Sequence, residues 1–451
     1  MTQLRVAAEK RSRVALELRG VDQRKKSLSV KLSAAHGALS DIQQRKIQLE
    51  LDDLNAGQKN LQETYRHLEE AARTDSGAVS EQMFQWIRSH QNLKTGLVAS
   101  FEGDPALEDA AFTYDQSLAA QVFLLFGDKE SAARILLFYE KRAERQDSVF
   151  YNSYDTTSGG VSERTVQTGP NAWLGIAALQ YEFRVKDGRF LPMARQIGDW
   201  LVTLQDAEGG IRGGPKFTWY STEHNLDAYA FFGLLKVATH DQKYAQAQSR
   251  LLEWMKKYSY SIHENRLNRG KGDSTIATDT FGWAVAAVGP ATLKKIQFDP
   301  EGILDFAEKN CSVTVDFQRT GDKPMRTHGF DFAKALHLGR GGVLSTEWTA
   351  QMIVGYEVMT RYFDSMHDTE KAALYRHKAD FYLNELQKMV ITSPSRTGQG
   401  RGCLPYASMD NVDTGHGWHT PKGTTTGSVS GTAYGLFAWK NYNPFEVNDR
   451  A

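Results

Sequence analysis

Glu223 and Glu347 each directly follow a threonine, and each opens an apolar run, TEHNLDAYAFF from Thr222 and TEWTAQMIVGY from Thr346. Asp115, Asp227 and Asp279 stand at similar junctions, in TYDQSLAAQVFLLF, in the Thr222 run itself and in TDTFGWAVAAVG. Two opposed carboxyl groups are what hydrolysis of a glycosidic bond requires. One stays protonated and donates to the leaving oxygen, while the other is ionised and activates water or attacks the sugar. Glu223 and Glu347 are the leading acid/base pair, with Asp279 and Asp227 as alternates. Glu223 is expected to be the acid, because Trp219 and Tyr220 precede it and would shield it from water. A separation of about 6.5 to 9.5 Å would favour inversion, and about 5 Å retention. Acids in a first helical turn also complement the helix dipole, and Thr113-x-x-Gln116 has the form of a capping box, so any one of these acids taken alone has a structural reading. Their recurrence is the stronger signal.

Flat rings with polar edges suit sugars as well as cores. Tyr154, Trp173, Trp219, Tyr220, Trp283, Trp348 and Trp418, with Asp115, Asp155 and His224, are the substrate-binding candidates. His224, His328, His416 and His419 keep a second chemistry open, proton transfer beside a carbonyl or carboxylate.

The elements that must position these groups recur. Polar-start apolar segments begin at Thr113, Gly169, Thr222, Thr278, Thr346 and Ser430; the first four starts lie roughly 55 residues apart, and the later gaps are about 70 and 85. Amphipathic segments alternate with them, at about 129–145, 190–205, 242–258, 301–310 and 369–390. Gly127-Asp128, Asp187-Gly188 and His240-Asp241 suit tight turns between paired helices. An inner ring of buried helices wrapped by an outer, half-wet ring follows, and parallel inner helices would bring their polar starts to one mouth. Strand signals are weak, and long loops span 153–169, 209–222 and 398–430.

Residues 1–76 read differently. Val14, Leu18, Val21, Leu28, Leu32, Ala35, Leu39, Ile42 and Leu49 make a heptad seam with Lys25 and Lys46 on it, and a coiled-coil-like helix is expected there. It needs a partner surface: a second copy, the rest of its own chain, or another protein. Arg73-Thr74-Asp75-Ser76-Gly77 is expected to break it before the main domain at 80–445.

Lys+Arg and Asp+Glu balance at 54 each, so no bulk charge favours nucleic acid or an anionic membrane. No apolar run of about 18 residues marks a membrane span. Two cysteines, Cys311 and Cys403, do not make a multi-cysteine zinc site, and no metal or cofactor motif occurs. The start shows no export signal, leaving a cytoplasmic location, or a periplasmic or secreted one had a leader been removed.

The helix-start series, the TEHNLDAY and STEWTAQM segments and the closing SGTAYGLFAWKNYNPF resemble the six-hairpin glycosidase superfamily over about 80–445. The resemblance implies an all-α (α/α)6 barrel. It also implies a carbohydrate substrate, with hydrolases that commonly use an acid pair at the barrel mouth and often invert. Epimerases and lyases occupy the same fold, and a non-catalytic glycan-binding protein is the remaining alternative. The 1–76 segment lies outside the resemblance.

Overall fold

Apolar runs with a polar start fold as helices buried on nearly all sides, three of them capped by a serine hydroxyl, and the amphipathic runs between them keep one wet face. The computed structural model describes residues 14, 17, 21, 24–33, 39–318, 323–335, 338–392, 402–422 and 426–448. The chain divides into two units, Met1–Glu81 and Gln82–Ala451.

In the first unit, helix α1 (Asp41–Ser89) starts at Ser40, whose N–H and hydroxyl both bond Gln43 Oε1 in a capping box. Its last turns, from Gln82, belong to the second unit. Residues 24–33 are also helical, and Arg24 bonds Glu50 (2.8 Å) while Lys25 bonds Gln58 (2.6 Å), so the two stretches lie side by side. Two expectations are corrected here. The seam changes register at the Ser40 cap: Ile42 and Leu49 are exposed, whereas Ile47, Leu51, Leu54 and Leu61 turn inward at steps of four and three. Helix α1 also runs through 73–77, because one interior glycine costs only about 1 kcal/mol and no proline interrupts the run. Leu18 and Ala35 of the seam lie outside the described residues.

The second unit is built from helical hairpins. In order, they are α2 (Thr113–Leu125) with α3 (Lys129–Lys141), α4 (Thr168–Val185) with α5 (Leu191–Leu204), and α6 (Thr222–Thr239) with α7 (Gln242–Tyr258). Next come α8 (Asp279–Val288) with the short α9 (Pro290–Lys295) and α10 (Pro300–Cys311), α11 (Thr346–Ser365) with α12 (Thr369–Lys388), and finally α13 (Val429–Trp439). Helices α2, α4, α6, α8, α11 and α13 pack in succession, and α13 packs on α2, closing an inner ring. The sixth hairpin joins the two ends of the unit: Met83 lies against Gly435 of α13. This is the expected (α/α)6 barrel.

The turns follow the expected chemistry. Gly127, Gly188 and His240 adopt positive φ, and Asp128 and Asp241 cap the helices that follow. Helices α8 and α11 touch backbone to backbone: a Cβ on Gly282 would stand 2.8 Å from the Gln351 carbonyl oxygen. The sequence reading missed a small sheet of Ala110–Phe112, Ser153–Asp155 and Val161–Glu163, whose last two strands lie in the expected 153–169 loop, and the antiparallel hairpin of Ser312–Phe317 with Met325–Phe330. Its alternating SVTVDF is too short to stand out beside long helices. Cys311 and Cys403 are buried free thiols. Among the described residues no helix is long and apolar enough to cross a membrane.

Candidate active site

The helix starts are fastened to the loops around them. Thr113, Thr168 and Thr346 donate their hydroxyls to the carbonyls of Tyr151, Arg212 and Pro405. Three residues after the start, Gln116, Asn171 and Asn225 each bracket the N–H and C=O of one loop residue, Val98, Phe150 and Ile211, at 2.7 to 3.0 Å. Thr349 and Thr432 take the N–H of Phe330 and Leu404 at the same offset. Ser221, Ser345 and Ser428 cap α6, α11 and α13. The starts of α2, α4, α6, α11 and α13 are therefore held in rotation, which decides the residue that faces the barrel axis; α8 is joined to its loop by the backbone bond from Thr278 to Phe332.

That residue is the one directly after the start. Counting from Thr113, Thr168, Thr222, Thr278, Thr346 and Val429, the mouth layer is Tyr114, Gly169, Glu223, Asp279, Glu347 and Ser430. One turn deeper, on the same faces, lie Leu118, Trp173, Asp227, Trp283, Gln351 and Tyr434. Hydrogen bonds tie the layers together, one of them between helices that are not neighbours. Tyr114 donates to Glu347 Oε1 at 2.6 Å, and Gln351 donates to the same oxygen at 3.1 Å. Ser430 bonds Glu347 as well, and Glu223 bonds Asp279. Below them, the Trp173 indole donates to Asp227 Oδ1 at 3.0 Å, and Trp173 meets Tyr114 and Trp283 edge to face.

Burial without positive charge dominates the electrostatics. Among the described residues, none of Asp115, Glu223, Asp227, Asp279 and Glu347 has a recorded ion pair. Burial pushes Glu223 well above the usual carboxylate range, and the charges of Asp279, Asp227 and Glu347 push it further. Burial also raises Asp227, against the Trp173 hydrogen bond, and Asp279, with Glu347 adding to the rise. Burial lifts Asp115 to about 8, opposed by its hydrogen bond with Ser100. Glu347 is raised by burial too, but Tyr114 and Ser430 both pull it back toward ionisation. A hydrogen bond between two carboxyl groups requires a proton on one of them, so Glu223 and Asp279, both raised by burial, hold one proton between them.

The structure thus brings Glu223, Asp227, Asp279 and Glu347 together, with Asp115, Trp173 and Trp283 beside them. Trp219 is 42 % exposed at the rim, its ring 5.6 Å from His224. His224 is buried against Gly169, and burial lowers its pKa to about 4. Trp418 is also 42 % exposed, and its indole donates to the Tyr406 hydroxyl at 3.0 Å. Trp348 sits behind the rim, in a core cluster with Phe332, Val343 and Ala407.

Three candidates go elsewhere. Tyr154 is fully buried among Phe138 and Tyr139, and its hydroxyl donates to the Glu144 carbonyl. Asp155 caps its own turn, accepting from Thr157 and Ser158. Tyr220 bonds Asp206 and lies on Trp254 of the outer ring, so it does not shield Glu223. The neighbouring carboxyls and burial do that work instead. His328 bonds Thr314 within the hairpin, and His416 bonds the Phe332 carbonyl. Sequence reasoning passed over Gln351, Ser430, Tyr406 and Tyr434 as site residues. Gln351, Ser430 and Tyr434 share the offsets of the acids once the second and last starts are set at Thr168 and Val429, one residue before the Gly169 and Ser430 taken from the sequence. Tyr406 comes from a loop with no such marker.

No family model matches the sequence, and no curated protein does. Solved structures are similar in fold. A D-mannose isomerase is 11% identical with a TM-score of 0.59, over 82% of this chain and 97% of that one. A glycosidase solved as wild type and as Glu→Ala and Tyr→Phe variants, one with glucose, is 13% identical in its wild-type form, with a TM-score of 0.54 over 83% and 98%. An inactive variant of an α-1,6-mannanase of Salegentibacter sp. HEL1_6, in complex with α-1,6-mannotriose, is 12% identical with a TM-score of 0.55 over 82% and 100%. The chain has the (α/α)6 fold of the six-hairpin glycosidases.

Proposed function

We propose that the protein is a glycoside hydrolase in which Glu223 is the general acid and Glu347 the general base. The observation that carries this is the pair of unlike carboxyls in one mouth layer: Glu223 shares a proton with Asp279, while Glu347 is held as an acceptor by Tyr114, Gln351 and Ser430. Environments that push two carboxyls toward different protonation states are what acid/base hydrolysis needs. Glu223 is also the more exposed of the two.

In the proposed reaction, Glu223 gives its proton to the glycosidic oxygen as the bond to the anomeric carbon breaks. Glu347 takes a proton from the water that attacks that carbon, releasing two sugars with free hydroxyls. With Glu347 activating water rather than attacking the sugar, the outcome of the proposed reaction is inversion. Asp279 keeps the Glu223 proton in place, and Asp227 with Trp173 and Trp283 forms the floor. The glycosidase and mannanase neighbours support a carbohydrate substrate.

The test is a panel of neutral polysaccharides, including α-1,6-mannan, assayed for new reducing ends. Glu223→Gln and Glu347→Gln should each lower kcat by about 10² to 10⁴ with the melting temperature retained. Near-native turnover in both variants would remove the pair from the chemistry.

A second reading, sugar isomerisation or epimerisation, has one specific observation behind it. His224 is neutral, with Nδ1 unpartnered, directly beside Glu223. The D-mannose isomerase neighbour has the same fold. Ketose formation from free hexoses, lost in His224→Gln, would favour this reading; reducing-end release from polymers would favour hydrolysis.

A further inference from the structure

We infer that the site binds sugar rings on both sides of the bond it cuts, one on Trp219 and one on Trp418, and so acts within oligosaccharide chains. The inference rests on the hydrolase reading and adds the form of the substrate.

Both indoles are exposed, and both are locked. A Cβ on Gly213 would fall 2.2 Å from the Trp219 ring, so only glycine there lets the indole lie flat on the loop backbone. Phe217 and His224 hold the ring from its other contacts, at 5.0 and 5.6 Å between centroids. Trp418 is pinned by its N–H bond to Tyr406 and by His416, at 5.6 Å, which in turn lies 5.5 Å from Trp348. A ring held in place with one face open stacks on a sugar at little entropic cost.

Their places in the ring differ. Trp219 belongs to the loop that enters α6, and its neighbour His224 directly follows Glu223. Trp418 reaches α11 through His416 and Trp348, and Trp348 directly follows Glu347. Helix α8 stands between these two walls. One platform thus accompanies the acid and the other the base, and a glycan lying on both passes over the pair.

Tyr406 links the second platform to the chemistry. Its hydroxyl accepts from Trp418, so its own proton points elsewhere. The Thr346 N–H donates to the Tyr406 carbonyl at 3.4 Å, so Tyr406 stands at the start of α11, against the residue that precedes Glu347; burial and then the Glu347 charge raise its pKa, in keeping with that place. Trp418 therefore aims a hydrogen-bond donor at the sugar beside Glu347, and Tyr406 is a specificity residue for that sugar.

The experiment is calorimetric titration of the full-length Glu347→Gln protein with glucan and α-1,6-mannan oligosaccharides, from the monosaccharide to the hexasaccharide. Affinity for one series should rise steeply with chain length. Trp219→Ala and Trp418→Ala should each weaken the hexasaccharide roughly tenfold while changing the monosaccharide less. Trp418→Phe keeps a stacking face but frees Tyr406, and is expected to fall between native and alanine, with Tyr406→Phe showing the same partial loss. Equal affinity for monosaccharide and hexasaccharide, absence of binding in both series, or a chain-length dependence untouched by both alanine variants would each overturn the inference. Because titration needs no turnover, failure of the acid pair shows separately, as hydrolysis that persists in Glu223→Gln and Glu347→Gln.

Discussion

Asp115→Asn should remove a pH dependence from the stability of the barrel. The carboxyl is 4 % exposed, bonded to Ser100 beside the Glu347 charge, and burial lifts its pKa to about 8. Unfolded, the same group titrates near the ordinary aspartate value of about 4. Its folded pKa is raised, so between those values the folded state holds a proton that the unfolded state has released. The resulting stability is fully present at the acid end and is lost as pH climbs through the folded pKa. The decline is about 1.4 kcal/mol per pH unit, and over about four pH units it amounts to something on the order of 5 kcal/mol. Asparagine has the same shape, keeps an acceptor for Ser100 and never ionises. Glu223, Asp227, Asp279 and Glu347 are raised in the same direction and keep their own contributions in the variant. Urea unfolding followed by tryptophan fluorescence at pH 5, 6, 7 and 8 should give two lines of different slope, the wild type falling faster by the equivalent of one proton. Parallel lines would refute the reasoning, because they would mean that Asp115 is already ionised in the folded protein.

Tyr114→Phe removes a hydrogen bond that favours ionised Glu347; such bonds are worth about 1.5 to 3 kcal/mol, so the acidic limb of kcat/KM should move up by about one to two pH units. A limb that stays in place would show that Tyr114 does not set the state of the base. Gly282→Ala should destabilise by about 1 to 3 kcal/mol, since its methyl would press on the Gln351 carbonyl and spread α8 from α11; an unchanged urea midpoint would contradict that contact. Arg340→Met should cost about 3 to 5 kcal/mol by leaving the fully buried Asp331 without its partner at 2.6 Å, and adding Asp331→Asn should recover part of the loss.

The barrel was legible in the sequence because its repeat is chemical as well as periodic. A polar start, an apolar run behind it and an amphipathic return segment mark one hairpin without reference to the others. The four leading carboxyls were legible for the same reason, since position in the repeat fixes the face of the helix. What stayed hidden depends on contacts between distant stretches. Tyr154 and Tyr220 looked like Trp219 by type and by loop, but the partners that draw them away, Glu144 and Asp206, carry no mark of that role. Tyr406 enters the site from a loop whose path is set by pairing with Thr426, again invisible locally. The heptad seam misled across Ser40 because the capping box there resets the helix phase, and a seam read straight through assigns Ile42 and Leu49 to the wrong face.

The ring closes between its first and last parts: α13 packs on α2, and Gly435 meets Met83, from a stretch made hundreds of residues earlier. During synthesis, at roughly 5–20 residues per second, the early hairpins therefore wait on the order of tens of seconds for the helix that covers them. Buried surfaces such as Met83, Trp86 and Phe123 are open to water for that interval. During that interval a hairpin of a neighbouring nascent chain can occupy the open surface in place of the chain's own, so polysomes are where swapped dimers would first form, and slower synthesis of Val429–Trp439 would raise their yield.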